Sequence, residues 1–190
     1  MSATAARTIK RLTLKDGRTV RISRLTAADA PALQSFAAGL SKQSRIFFLP
    51  HGYDDATLAK AVARNTSGED ALYIAQAGRR IVAYFFLWYA TRRVPLLGIG
   101  ITDEFQGAGL GRQLMALLID NARALGAEGI ELTVNLDNDR AFALYTQCGF
   151  RYLRNVENVQ GDGSIRIERC MFLPFRPDAQ PMTEPHAPPV

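Results

Sequence analysis

Cysteine and histidine are scarce: the 190-residue chain holds two of each. Cys148 and Cys170 cannot build a disulfide framework or a metal site. No metal is therefore expected, and both are read as reduced thiols in or near the core of a cytoplasmic protein. Long apolar runs are missing too. None reaches the roughly eighteen residues of a membrane-spanning helix, and residues 1–7 lack the apolar stretch of a secretory signal. No Gly-Lys pair occurs in the glycine-rich region near residue 107, which excludes a P-loop there. No internal repeat and no second domain are visible. What is present is ordinary for a globular protein: 47% hydrophobic and 22% charged residues. The length suits one domain with a substantial core.

The formal charge of +5 is unevenly placed. Arg7, Lys10, Arg11, Lys15, Arg18, Arg21 and Arg24 crowd the front of the chain against a lone Asp16. Such a segment either docks an acidic partner or nucleic acid, or is a solvated face. It has no interleaved aromatics and no recognition helix, so the solvated face is the preferred reading and nucleic acid is not expected as a partner. A basic surface also suits a ligand that carries several phosphates.

Residues 1–15 read as a loose segment. Residues 19–25 alternate as a strand, and Thr26 caps a helix carrying Asp29, Leu33, Phe36 and Leu40. A second helix follows Tyr53, with Asp54 or Asp55 as its cap, and ends at Gly68. Residues 71–77 and 81–89 read as strands joined by the turn Gly78-Arg79-Arg80, and residues 94–101 form a third. A helix runs to Leu125, residues 130–134 are a strand, and a short helix ends before Gly149. Strands at 150–156 and 165–173 are joined by the turn Gly161-Asp162-Gly163. From Pro174 onward, repeated prolines without apolar periodicity indicate a disordered tail, 174–190. Trp88 and Phe85 read as core. His51 reads as an incidental loop histidine, and His186 falls in the tail.

The most informative segment is Gln106-Gly107-Ala108-Gly109-Leu110-Gly111-Arg112. It lies between an apolar strand and a helix with Leu110, Leu114, Leu117, Leu118 and Leu125 on one face. The first N–H groups of a helix have no internal partner, and the dipole favours an anion there. Glycines let the main chain approach a phosphate closely. A dinucleotide fingerprint fails, because Gly107-x-Gly109 places Arg112 where the third glycine belongs. The remaining pattern, Q-x-x-G-x-G, resembles the acyl-CoA pyrophosphate loop of the GCN5-related N-acetyltransferase (GNAT) family. Downstream, Asn138-x-x-Ala141-x-x-x-Tyr145-x-x-x-Gly149-Phe150 is similar to a second signature of that family. Asp16-Gly17-Arg18-Thr19-Val20-Arg21-Ile22, with Asp29-Ala30-x-x-Leu33 and Leu40-Ser41-x-x-Ser44-Arg45, further resembles the catalytic domain of bacterial protein lysine acetyltransferases.

The resemblance spans residues 16–173 as a single domain. It implies an α/β (α+β) fold with a mixed central sheet of six to seven strands, about four helices, and splayed strands 4 and 5. It also implies acetyl-CoA as co-substrate and direct transfer of acetyl to a primary amine, on a protein lysine or a small molecule. The pyrophosphate would sit on Gln106, Gly107, Ala108, Gly109, Leu110, Gly111 and Arg112. The pantetheine arm would lie along the strand at Ile99 and Ile101, where Gly98 and Gly100 ease approach or serve packing. Asn138 is a helix cap or a cofactor contact. Tyr145 takes the position of the general acid that protonates the leaving thiolate.

The base is less defined. The lysine acetyltransferases often carry a glutamate on the strand before the loop, where this chain reads Pro95-Leu96. Glu104, with Asp103, lies just ahead of the loop and is the candidate; Glu69 and Asp70 are alternatives, as is an amine that arrives already neutral. Without a base, an acyl-CoA-binding module that does not turn over stays open as the second reading. A nucleic-acid-binding protein is the third. Acceptor identity and acyl-chain preference have no code in the sequence, and a homodimer is compatible with it.

Overall fold

The computed structural model describes residues 8–182 and 187–190, so Arg7 and His186 lie outside the described residues. Strands β1 (Thr8–Thr13) and β2 (Thr19–Arg24) come first, then helices α1 (Ala30–Gly39), α2 (Lys42–Phe47) and α3 (Asp55–Ser67). Next are β3 (Ala71–Ala77), β4 (Arg80–Trp88), β5 (Leu96–Ile101), α4 (Leu110–Ala124) and β6 (Gly129–Asn135). Helix α5 (Asp139–Gln147) and strands β7 (Arg151–Val159) and β8 (Ile165–Pro174) complete the order. The strands form one sheet, β1-β2-β3-β4-β5-β6-β8-β7. This is the expected mixed α/β fold, with one strand and one helix more than the sequence suggested.

Alternation along β3 and β4 builds two cores, one on each face of the sheet. Tyr73, Ala75, Phe85 and Leu87 join the core under α4 and α5, with Leu110, Leu114, Met115 and Leu118. Leu72, Ile74, Tyr84, Phe86 and Trp88 join the core under α1 and α3, with Leu33, Phe36 and Leu58. Trp88 and Phe85 are core residues as expected, 5% and 1% exposed. The start of α3 is fixed by Asp54, whose side chain accepts from Thr57 N–H at 3.0 Å, and its end by the left-handed Gly68.

Three segments differ from expectation. Residues 8–13, expected to be loose, form β1, an antiparallel partner of β2. Only Leu12 of this strand is buried, so it shows no apolar alternation, and Lys10 and Arg11 protect a sheet edge. Helix α2 has six residues and none buried, so it carries no periodic signal; Ser41 Oγ caps it by accepting from Ser44 N–H at 3.1 Å. The stretch after Pro174, expected as a disordered tail, lies against the domain. Ala179 and Met182 pack with Val94 and Phe172, and Met182 N–H donates to the buried Glu131 carboxylate at 2.9 Å.

The β7–β8 turn is clamped to the other half of the sheet. Gly161 N–H donates to Leu49 O at 2.7 Å, and Arg166 donates to Ile46 O at 2.7 Å. A Cβ on Gly161 would lie 2.4 Å from the His51 carbonyl carbon, so only glycine lets the two segments touch. His51 itself is 1% exposed and is held by Gly52 O at 2.6 Å and the Tyr84 hydroxyl at 3.0 Å. Gly161→Ala should open this clamp and lower stability by about 1–3 kcal/mol, the usual cost of overpacking. A thermal melt checks it: an unchanged midpoint would mean that the backbone yields without penalty.

Candidate functional site

Strands β5 and β6 run parallel and share a single register pair, Leu96↔Glu131, secured by Glu131 N–H donating to Pro95 O at 3.1 Å. Each is fully engaged on its other side. β5 pairs with β4 from Leu96 to Ile101, and β6 pairs with β8 along its length. Beyond Leu96 the two halves of the sheet part, and a cleft of about 590 Å³ passes between them. Ile99 and Ile101 line one wall, Thr133 and Val134 the other, and the N-terminus of α4 closes one end.

That end is built to attract an anion. Gly107 and Gly109 have φ of 83° and 84°, the left-handed region that turns the chain from the Asp103–Phe105 turn into α4. Gly109 is the N-cap, supplies no capping side chain, and no acid follows in the first turn. The leading N–H groups of the fifteen-residue helix are therefore left for an incoming group. Arg112 and Arg140 line the same end and bond to neutral partners, Gln147 Oε1 and Gln106 Oε1. With no carboxylate pairing them among the described residues, both charges remain for a phosphate. The carbon chain of Lys15, from the β1–β2 turn, lies beside Gly109.

Of the expected loop residues, Gln106, Gly107, Gly109, Gly111 and Arg112 line the cleft, whereas the side chains of Ala108 and Leu110 turn into the core, 7% and 1% exposed. The Gln106 amide ties the site together, donating to Ile101 O at 3.0 Å and Ser44 Oγ at 3.2 Å. Gly98 and Gly100 serve packing. A Cβ at either would stand 2.2 Å from a ring carbon, of Phe86 and Phe48 respectively. Phe48 thereby lies against Gly100 of β5 and lines the cleft.

Tyr145 and Asn138 come from α5. Asn138 Oδ1 accepts from Ala141 N–H at 3.1 Å, so it is the helix cap, and it also faces the cleft. Tyr145 lines the cleft while 8% exposed, and its hydroxyl has no hydrogen-bond partner among the described residues. Burial first, then the negative charge of Glu168 and the Cys148 sulfur, holds its pKa well above that of an ordinary phenol.

The expected carboxylate is not brought in. Glu104 points outward to an ion pair with Arg80 and does not line the cleft. In the three-residue turn Asp103–Phe105, adjacent side chains diverge: Asp103 faces the cleft, Glu104 the solvent and Phe105 the core. Asp103 accepts from Ser41 Oγ and Ser44 Oγ, each at 2.7 Å. Partial desolvation raises its pKa, but these hydrogen bonds outweigh it and hold the carboxyl below its ordinary range. Asp70 and Glu69 are bound to Arg64, each with a 2.7 Å contact, and also stand away from the cleft. Ser44, Thr133 and Arg140 were not anticipated as lining residues, because the first sits on the short polar α2 and the others fall between motif positions.

Much of the basic front segment is absorbed by the protein. Arg18 pairs with Asp16 and lies over Phe105, Arg21 bonds Gln76, and Arg24 bonds Asn65. Among the described residues no group of acids, cysteines and histidines could hold a metal ion, and no helix is long and apolar enough to cross a membrane.

Residues 38–150 match the family model described as "Acetyltransferase (GNAT) family". The chain is 33% identical over 162 residues to the N-alpha-acetyltransferase RimI of Mycobacterium tuberculosis, covering 81% of this chain and 94% of that protein. It is 38% identical over 92 residues to a mycothiol acetyltransferase of Jonesia denitrificans, which is 47% of this chain but 29% of that longer protein. The chain spans 52% of a further match, the uncharacterized N-acetyltransferase YvbK of Bacillus subtilis. Among solved structures, Mycobacterium smegmatis RimJ in complex with CoA-disulfide has a TM-score of 0.72 at 17% identity, over 91% of this chain and 90% of that one; this likeness shows the fold. A family model matched over more than half of the chain, and a relative covered nearly end to end, place the protein in the acetyltransferase (GNAT) family, whose acyl donor is acetyl-CoA.

Proposed function

We propose that this protein transfers an acetyl group from acetyl-CoA to a primary amine, and that the amine is the α-amino group of a peptide chain. The observation that carries the reading is the cleft through the sheet, with an uncapped, arginine-flanked helix N-terminus at one end and Tyr145 in its lining. The narrowing to an α-amine rests on the RimI relative, matched over most of both chains. Free, buried or half-buried thiols at Cys170 and Cys148 suit a reducing cytoplasm.

Acetyl-CoA supplies the activated acetyl thioester. The N–H groups opening α4, with Arg112 and Arg140, hold its pyrophosphate. The edge of β5 at Ile99 and Ile101, freed by the splay, offers main-chain groups to the pantetheine arm. Tyr145 keeps its proton while the neutral amine attacks the thioester carbonyl, then donates it to the thiolate as the C–S bond breaks. It is reprotonated from solvent, which takes the proton that the amine nitrogen gives up. Its raised pKa means that it stays protonated to beyond about pH 10, the ordinary phenol value. Asn138, by capping α5, fixes where that hydroxyl points.

Thiol release should appear with acetyl-CoA and an alanine-terminated peptide in a panel that also holds polyamines, free amino acids, aminoglycosides and a lysine-rich protein. Release with none of them, while acetyl-CoA still binds, would instead support a module that binds without turnover. Tyr145→Phe is expected to lower kcat about 10²- to 10⁴-fold, the usual worth of a positioned acid, with KM for acetyl-CoA nearly unchanged. Equal turnover by the variant would remove Tyr145 from the reaction. In the wild type, activity should show no alkaline limb attributable to this phenol up to about pH 10. Arg112→Ala with Arg140→Ala should raise KM for acetyl-CoA by about tenfold or more and flatten its dependence on salt; steady-state kinetics at two ionic strengths would reveal it.

A further inference from the structure

Phe48 occupies the place of a missing β5 side chain. A Cβ built on Gly100 would lie 2.2 Å from Phe48 Cδ1, so the glycine cedes its space to the ring. Phe48 also meets Phe36, Tyr84 and Phe86, with ring centroids 6.5, 6.2 and 6.3 Å away. Those three rings are buried, whereas Phe48 is half-buried and lines the cleft beside Gly100. Its ring is at once core and cleft wall.

The ring is held in place. Phe48 follows α2 as its C-cap, between two anchored residues: Ile46 O accepts from Arg166 and Leu49 O from Gly161 N–H, each at 2.7 Å. Behind it, Tyr84 is fully buried, with its hydroxyl engaged at 3.0 Å by His51 Nε2. A close-packed wall of this kind yields little to an added methylene.

Strand pairing shows what this wall faces. Tyr84 lies opposite Gly100, whereas Phe85 lies opposite Ile99 and Ala83 opposite Ile101. Opposed residues share a face and successive ones alternate. Gly100 and Phe48 thus belong to the face under α1 and α3, and Ile99 and Ile101 to the face of α4 and α5, which also holds Tyr145. Tyr145 and Phe48 line the cleft from opposite faces. A thioester whose pantetheine arm runs along Ile99 and Ile101, with its sulfur near Tyr145, carries its acyl carbons away from that arm. The apolar wall on that side is Phe48, with Leu40 and Phe47.

We infer that Phe48 sets the length of the acyl group: its ring over Gly100 leaves room beyond the thioester for acetyl and closes the space to longer chains. This rests on where the transferase reading places the donor and adds a specificity-determining residue to it. Without the ring, the bare glycine and the rings of Phe36, Tyr84 and Phe86 would bound an apolar hollow open to the cleft. Such hollows take up apolar groups rather than water.

Binding tests this without any acceptor. Dissociation constants for CoA, acetyl-CoA and butyryl-CoA are measured by calorimetry on the wild type, Phe48→Ala and Phe48→Leu. The wild type should bind butyryl-CoA at least about tenfold more weakly than acetyl-CoA, the usual worth of surplus methylenes against a filled pocket. Phe48→Ala should bring the two within about twofold, with Phe48→Leu between. Adding Gly100→Ala to Phe48→Ala returns a methyl group to the hollow and should restore part of the discrimination, which a purely structural role for the ring would not produce. CoA carries no acyl group, so an unchanged CoA affinity reports an intact fold, and Phe48→Leu carries the test if Phe48→Ala loses CoA. Equal binding of both thioesters by the wild type would overturn the inference. So would an unchanged preference in the variants, or loss of CoA by both of them, since the ring would then serve the fold alone. A wild type that discriminates in binding yet releases no thiol with any amine of the panel would overturn the transferase reading and leave Phe48 as the gauge of the acyl chain.

Discussion

β5 and β6 meet at one residue pair, and the rest of the protein is arranged to keep them from meeting at a second. A parallel pair would close further if either strand had free hydrogen-bonding groups and a flat partner. Here β8 takes the outer edge of β6 over its whole length, and β4 takes that of β5. Each half-sheet follows its own twist. Phe48, laid over Gly100, and the Gln106 amide on Ile101 O fill the angle from the β5 side. The opening is thus a consequence of two sheets sharing one seam.

Electrostatics marks the α4 end of the cleft. It is positive through the helix dipole, Arg112 and Arg140, with no acid in the first turn of the helix. Asp103 stands close by, joined to Gln106 through Ser44 Oγ, but its carboxylate is held by the Ser41 and Ser44 hydroxyls. Tyr145 lines the cleft from α5, neutral because its burial and the nearby negative charge both oppose ionisation. With no hydrogen-bond partner among the described residues, its proton is undirected until something fills the cleft.

The anion end was legible in the sequence because local backbone chemistry makes it. A left-handed turn before a helix needs Gly107 and Gly109, and a capped α5 needs Asn138; such demands leave residue types at fixed spacing. The strands and the two long helices showed through their periodicity for the same reason. Helix α2 and strand β1 did not, since neither buries a stripe. Glu104 looked suitable by distance along the chain, yet a 3₁₀ turn separates neighbours by about a third of a revolution. Asp103 and Glu104 consequently face opposite surroundings. Thr133 was out of reach altogether, because its place on the cleft wall depends on how β5 and β6 part beyond their single pair.

The clamp between the β7–β8 turn and the loop after α2 joins these strands of argument. It crosses the seam at the acceptor side, so the two half-sheets are tied at Leu96–Glu131 on one side of the cleft and at Leu49–Gly161 on the other. A cleft tied at both ends cannot widen by rocking the half-sheets apart without breaking one tie. The Leu49–Gly161 hydrogen bond joins two loops and the exposed Arg166 of β8 reaches Ile46 of α2, whereas the Leu96–Glu131 pair lies within the buried sheet. Local opening proceeds where fewest buried contacts are lost. The clamp is therefore the weaker tie: α2 and the turn at Gly161 would part before the seam at Leu96 yields.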